Sequence, residues 1–368
     1  EIPLRLVGSE MCIRDSPQTG KNNYISVQAE DELAAVGMAI GANWNGARGF
    51  TATSGPGISL MSEFLGLAYF AEVPLVIFNI QRGGPSTGMP TRTQQSDILS
   101  CAYASHGDTK HVLLFPEDPQ ECFEFSAEAF NLAERLQTPV FVISDLDIGM
   151  NDWVTDKFEW NDEQKYDRGK VLKAEDLDKM DNFGRYLDVD DDGICYRTYP
   201  GTHPEKGAFF TRGTSHDEYA RYTENGDINE QTLTRLVKKF RTASELVPDP
   251  IINLSEKQGS SGVIFYGSTS AAMYEAKDIL NENNIEVDLM RIRSFPFNLD
   301  VWEFIENHDL IYVIEQNRDS QMRTLIMAEG GISAEKLRSL VWFNGDPIQA
   351  KFIAKKIYER ESQQALIT

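Results

Sequence analysis

Two stretches of the chain share one rhythm. Short, solidly apolar runs alternate with longer segments whose apolar positions recur every three to four residues. An unbroken apolar run fits a strand buried on both faces of a parallel sheet, and the longer period fits a helix with one buried stripe. In residues 24–150, strands are expected at YISVQ (24–28), GFTATSG (49–55), VPLVIFNIQ (73–81), HVLLFPE (111–117) and PVFVISD (139–145). Helices are expected at 31–47, 58–72 and 118–137, the last with Asp118 as its N-cap. The helix over 31–47 is rich in Ala and Gly and almost wholly apolar, so it is expected to be buried. Residues 260–368 repeat the rhythm, with strands at 262–269, 285–295 and 310–317. Helices are expected there at 271–284, 301–309, EKLRSL (335–340) and PIQAKFIAKKIYER (347–360).

Residues 151–250 break the pattern. They are polar, rich in Asp and Tyr, and interrupted by Gly and Pro. Between 156 and 192 stand seven basic and thirteen acidic side chains, which predicts an extended connector that buries little apolar area. A helix resumes over 228–245. The fold class is therefore α/β, with βαβ units forming a doubly wound sheet. The expected division is 1–23 as an N-terminal stretch, 24–155 as a first α/β domain, 156–255 as an acidic connector and 256–368 as a second α/β domain.

Composition narrows the function. Among 368 residues, 35 are Lys or Arg and 57 are Asp or Glu, a net charge of −22. Such a surface repels phosphate backbones and anionic lipid, so neither nucleic acid nor membrane is an expected partner. An anionic substrate would need a local basic patch. No apolar run approaches a membrane span or a secretory signal. The four cysteines, Cys12, Cys101, Cys122 and Cys195, contain no C-x-x-C pair, which predicts reduced thiols and a cytoplasmic protein. LVGSEMCIRDS (6–16) resembles a translated sequencing adapter, so this stretch, with Cys12, is expected to be foreign and disordered.

Three segments carry candidate chemistry. The strand–helix turn TATSGPGISLM (51–61) could present backbone N–H groups at a helix N-terminus to an anion or a polar ring, although as a bare pattern it is an ordinary tight turn. Glu32 opens the helix behind the first strand. It could simply complement the helix dipole, but beside a buried apolar helix desolvation would raise its pKa toward general acid–base use. FNIQRGGPSTGMPTRTQQSD (78–97) delivers Arg82 and a long polar loop to the carboxyl end of a buried strand, where open α/β sheets bind ligands. The Arg82 fork suits a carboxylate, and Ser86, Thr87 and Thr91 add hydroxyls. Weaker candidates are His106 with Asp108 as an orienting pair, and DVDDDG (188–193). The latter resembles half an EF-hand loop but has Tyr199 where the bidentate glutamate belongs, so an Asx-rich turn is expected and no metal site.

QAEDELAA, GANWNGARGFTATSGPGISLM, IQRGGPSTGMPTRTQ and YPGTHPEKGAFFTRGTSHDEYARYTE (199–224) together resemble the alpha subunit of 2-oxoacid:ferredoxin oxidoreductases of the 2-oxoglutarate type. The resemblance covers about residues 24–368. It implies a pyrimidine-binding domain for thiamine diphosphate at 24–155 and a transketolase C-terminal-like domain at 256–368. It further implies a beta subunit that carries the diphosphate and Mg²⁺ site and a [4Fe–4S] cluster, since this chain has neither a G-D-G motif nor the cluster cysteines. A gamma subunit or domain, ferredoxin, coenzyme A and the 2-oxoacid complete the implied hetero-oligomeric system. By match to the family motifs, Glu32 would hydrogen-bond the aminopyrimidine, with Glu30 as the alternative. Ser54, Gly55, Pro56 and Gly57 would line that ring, and Arg82 would bind the substrate carboxylate beside Ser86, Thr87 and Thr91. The family's upstream Tyr-Pro-Ile-Thr-Pro segment does not occur here. Rival readings are another thiamine-dependent dehydrogenase or transketolase-like subunit, and a non-catalytic assembly subunit.

Overall fold

The computed structural model describes residues 24–161, 163, 165–256 and 261–365. The adapter-like stretch and Cys12 lie outside them. The strand expected at 24–28 does not form. Tyr24–Gln28 is irregular and exposed, because no strand among the described residues pairs with it.

Helix α1 (Glu32–Trp44) starts at Asp31, whose carboxylate accepts a hydrogen bond from Ala34 N at 2.8 Å. Strand β1 (Phe50–Thr53) leads into α2 (Gly55–Phe70), which has Pro56 in its first turn. Strand β2 (Leu75–Gln81), the short α3 (Ile98–Ala102), β3 (Val112–Leu114), α4 (Pro119–Leu136), β4 (Pro139–Asp145) and α5 (Leu146–Met150) follow. Asp118 caps α4 as expected, accepting from Glu121 N. Expected full burial of α1 is corrected. Val36, Ala39 and Ile40 face the core, but Leu33 and Met38 are 38% and 52% exposed, since nothing among the described residues covers that face.

The connector contains α6 (Ala174–Asp178) and α7 (Gly226–Ala243). It buries more than its polarity predicts. Leu177, Tyr186, Ile194 and Cys195 are buried, and so are Arg185, Arg197 and His216. A polar segment can do this when its cations and carbonyls pair internally. The DVDDDG segment is an Asx turn, in which the Asp188 carboxylate accepts from Asp192 N and Gly193 N.

The second α/β unit runs β5 (Ile251–Asn253), β6 (Ser261–Tyr266), α8 (Thr269–Glu282), β7 (Val287–Ile292), β8 (Ser294–Phe295), α9 (Leu299–Glu306), β9 (Ile311–Glu315), α10 (Gln321–Gly330), β10 (Leu337–Val341) and α11 (Ala350–Ala365). EKLRSL is thus mostly strand rather than helix. It forms the edge of a sheet, parallel to β9. The run expected as one strand at 285–295 divides in two, because β7 and β8 join different sheets.

The first sheet has the order β1-β2-β4-β3-β8, parallel except for β8 against β3. The second has the order β10-β9-β6-β7-β5, parallel except for β5. One apolar cluster fills the α1/α2 face of the first sheet and continues through Phe295 and Phe297 beneath the second. The opposite faces pack against α4, and against α8 and α11. No helix among the described residues is long and apolar enough to cross a membrane.

Candidate active site

The carboxyl ends of β1 and β2 meet the amino ends of α1 and α2. Glu32, the first residue of α1, packs against the turn 54–57. A Cβ built on Gly57 would stand 2.8 Å from Glu32 Cγ and far inside contact distance of Thr53 Oγ1. Glycine is therefore required there by crowding. Ser54 is the N-cap of α2 but makes no side-chain capping bond. The mouth of the helix is left to whatever lies beyond it, the arrangement that accepts a polar or anionic group. Glu32 is half-buried and Glu30 exposed, so the deep burial expected around Glu32 is absent in this chain by itself.

Asp97 links this turn to Arg82. Its carboxylate would lie 2.9 Å from a Cβ on Gly55, and its Oδ2 accepts from Asn79 Nδ2 at 3.1 Å. Its own N–H donates to Gln81 Oε1 at 2.9 Å. Burial raises the Asp97 carboxyl above its ordinary range, and the Asn79 bond and the Arg82 charge offset this only in part. Arg82, directly after β2, keeps its Nε buried without a partner. Glu32, Gly57, Gly55, Asp97 and Arg82 thus form a continuous line along one sheet edge. Asp97 is not among the candidate residues singled out by the sequence pattern. The only signal for it was its place in the 78–97 segment, because a carboxylate at the foot of a loop has no period to betray it.

The loop after Arg82 carries Ser86, Thr87 and Thr91, all exposed. It closes on itself through Met89 N to Gly83 O at 2.7 Å and Gly83 N to Arg92 O at 2.9 Å. Gly88, at φ +49°, could carry no Cβ without striking the Gly83 carbonyl. The sequence is expected to lack the G-x-S-x-G pattern of a nucleophile elbow, and that expectation is corrected, because Gly84–Gly88 spells it. Ser86 there sits on a loop rather than a strand-to-helix elbow, and no histidine bonds to it among the described hydrogen bonds. The second unit holds the loop's far end. Thr93 N donates to Gly345 O at 3.2 Å, and Arg92 pairs with Asp346 at 3.1 Å. Gln95, fully buried, donates to Asp145, Ser268 and the Tyr266 carbonyl, and accepts from Thr269 and Gln316 N.

The expected His106–Asp108 pair is corrected. His106 is 83% exposed and lies 3.6 Å from Glu63, because the SHGD turn projects into solvent. Among the described residues no group of three or more His, Cys, Asp or Glu side chains is arranged to hold a metal ion. Cys101, Cys122 and Cys195 are free thiols.

Comparison with known proteins matches residues 9–241 to the family described as pyruvate flavodoxin/ferredoxin oxidoreductase, thiamine diP-binding. The alpha subunit of 2-oxoacid:ferredoxin oxidoreductase 1 from Sulfurisphaera tokodaii is 35% identical over 345 residues, covering 91% of this chain and 52% of that protein. The 2-oxoglutarate synthase subunit KorA from Methanocaldococcus jannaschii is 35% identical over 305 residues, covering 80% of this chain and 75% of that one. Among solved structures, 2-oxoglutarate:ferredoxin oxidoreductase from Magnetococcus marinus, with 2-oxoglutarate, coenzyme A and succinyl-CoA bound, superimposes with a TM-score of 0.82 at 28% identity. That match covers 93% of this chain and 58% of the other. The chain spans about half the length of several of the curated relatives it matches.

Proposed function

The chain belongs to the thiamine diphosphate-binding pyruvate flavodoxin/ferredoxin oxidoreductase family, and from that premise we propose that it is the alpha subunit of a 2-oxoacid:ferredoxin oxidoreductase acting on 2-oxoglutarate. The reaction would be oxidative decarboxylation to acyl-coenzyme A and CO₂. Electrons would leave through an iron–sulfur cluster on a beta subunit to ferredoxin, and Mg²⁺ and the cofactor's diphosphate would also sit on that subunit.

The observation that carries this reading is the line from Glu32 through Gly57 and Asp97 to Arg82 along one sheet edge. It fits the cofactor's pyrimidine end. Glu32 makes no hydrogen bond or ion pair among the described contacts, the Ser54 turn leaves the α2 mouth uncapped, and Gly57 lets the turn lie directly on Glu32. When bound, thiamine diphosphate supplies the carbon nucleophile and electron sink that 2-oxoacid decarboxylation requires. Glu32 would hold a proton against the ring and fix its tautomer. Ser54 to Gly57 would wall the ring and exclude water. The unpaired Arg82 Nε would orient the substrate carboxylate, with Ser86, Thr87 and Thr91 closing from the loop. The uncovered apolar side chains of α1 suit a docked partner rather than water.

The test is reconstitution of a full-length version with its beta partner and assay of 2-oxoacid- and coenzyme A-dependent ferredoxin reduction. Glu32→Gln is expected to lower kcat about 10²-fold or more, as removal of a proton relay does. Arg82→Ala is expected to raise KM for the 2-oxoacid. Full activity in Glu32→Gln would remove that residue from its role, and an unchanged KM would assign the carboxylate to another anchor.

A further inference from the structure

The main chain from Thr93 to Leu99 ends the Arg82 loop and carries Asp97, and it is held largely from the second α/β unit. Thr93 N donates to Gly345 O at 3.2 Å, and Gln95 N to Gln316 O at 2.8 Å. Asn317 Nδ2 donates to Gln95 O at 2.9 Å. Gln321, the first residue of α10, reaches the chain on both sides of Asp97. Its Nε2 donates to Ser96 O at 2.6 Å, and its Oε1 accepts from Leu99 N at 3.1 Å. From the first unit the same segment receives the Gln81 side chain, which accepts from Asp97 N at 2.9 Å. A carbonyl oxygen accepts and a backbone N–H donates, so its two partners fix which way the Gln321 amide points.

Both side-chain amides are braced from behind. Asn317 Oδ1 accepts from Gln321 N at 3.2 Å, and Asn317 Nδ2 also donates to the Glu315 carboxylate at 2.8 Å. That carboxylate is fully buried and takes Met322 N and Arg323 N as well, at 2.7 and 3.1 Å. The bracing thus runs from the carboxyl end of β9 through Asn317 and Gln321 to the chain around Asp97. The Asp97 side chain faces the other way, toward the first unit. There it accepts from Asn79 and would lie 2.9 Å from a Cβ on Gly55. A shift of residues 95–99 would move Asp97 against the Gly55 turn and drag the end of the loop that starts at Arg82. Support of this kind decides how closely a binding geometry is held. The two units are also joined by Glu121 with Arg291 and Arg293 and by a shared apolar cluster. Among the described contacts, the hydrogen bonds that Asn317 and Gln321 send into the first unit all end on the segment bordering the candidate site.

We propose that Asn317 and Gln321 are positioning residues for the 2-oxoacid site. They act through residues 95–99 on Asp97 and on the far end of the Arg82 loop, so that the second unit tunes substrate binding. The inference rests on the reading of Arg82 as the carboxylate anchor.

The test uses the complex reconstituted with its beta partner. Gln321→Met keeps the side-chain length and removes both bonds. Hydrogen–deuterium exchange over residues 83–99 is expected to quicken about tenfold, while β2 and β4 keep their protection. KM for 2-oxoglutarate is expected to rise about three- to tenfold with kcat within about twofold, the scale on which residues outside a site couple to it. A role in stability alone would lower the melting temperature and the active fraction and leave KM where it was. If Gln321→Met does not fold, Gln321→Glu keeps the bond from Leu99 N but sets a carboxylate oxygen against Ser96 O. KM should again rise, and should return toward wild type as acidification protonates that carboxyl and lets it donate. Arg82→Ala, assayed alongside, separates the two levels. An unchanged KM there overturns the site reading and this proposal with it. A raised KM there, with either KM or the exchange over 83–99 unchanged in the folded Gln321 variant, overturns this proposal alone.

Discussion

Gly57 and Glu32 show how little room the candidate site leaves. In Gly57→Ala the new methyl would push on Thr53 Oγ1 and on Glu32 Cγ at 2.8 Å. The expected cost is about 1–3 kcal/mol of stability from overpacking. Activity of the reconstituted complex should fall at least tenfold, because general acid–base geometry tolerates little displacement. Melting temperature and kcat measured together check both. His111 makes a different prediction. It is fully buried between Tyr69 and Phe141, with Nε2 bonded to the Ala104 carbonyl at 2.9 Å. Burial pushes its pKa down from 6.5 to about 4, against the smaller upward pull of that carbonyl. A depressed imidazole means that the unfolded chain binds more protons between those two values. The neutral ring's contribution is therefore complete above about pH 6.5 and lost progressively toward pH 4, on the order of 3 kcal/mol. Asp97, Asp145 and Glu315 are raised by burial and act in the opposite sense on acidification. The difference between wild type and His111→Phe, followed by denaturant melts from pH 7 to 4, isolates the histidine. The two stability curves should converge as the pH falls.

Among elements, the pairing of α4 with β7 joins the two α/β units. Arg291, on β7 and 1% exposed, is bidentate to Glu121 at 2.6 and 2.8 Å, and Arg293 adds a third bond at 2.9 Å. Arg291→Leu should destabilise by about 3–5 kcal/mol, because Glu121 is left buried with half its partners. Arg291→Leu with Glu121→Leu should recover part of that loss, and a double-mutant cycle in urea measures both. The strands at 73–81, 139–145 and 310–317 were legible because they are buried on both faces and apolar residues dominate them, with polar ones such as Gln81, Asp145 and Glu315 at their ends. β10 was taken for helix because an edge strand with burial on one side mixes polar and apolar residues in so short a segment that both periods fit. α10 gave no local start signal, because its first N–H groups are capped by Asn317 and the buried Glu315 carboxylate rather than by its own N-cap, Ser320. At the candidate site, Glu32, Arg82 and the glycine turn were legible because each sits at the junction of a strand and a helix or loop. Asp97 was not, since its role arises from folding that brings it beside Gly55 and Arg82.

For the whole molecule, the connector is the part whose composition misled. An acidic, broken stretch reads as a solvated strap, yet it inserts Arg185, Arg197, Arg235 and Lys239 against the first sheet. Burial alone would raise the Glu72 carboxyl, but Arg235 and Lys239 outweigh it and hold Glu72 well below the usual carboxylate range. Charge counted along a sequence does not reveal which of its members face inward.

The two-residue strand β8 follows β7 after a single residue, yet it belongs to the other sheet, antiparallel to β3 through Leu113–Phe295 and Leu114–Ser294. The later half of the gene product therefore supplies the last rung of the earlier half. A fragment cut at the apparent boundary near residue 255 would leave β3 with a bare hydrogen-bonding flank and strip Phe295 from the shared core. We expect such a fragment to self-associate through that flank, with light scattering rising at concentrations where the intact chain stays clear. Co-expression with residues 261–365 should restore clarity. Dissecting this protein by its sequence boundaries would yield two sticky pieces rather than two domains.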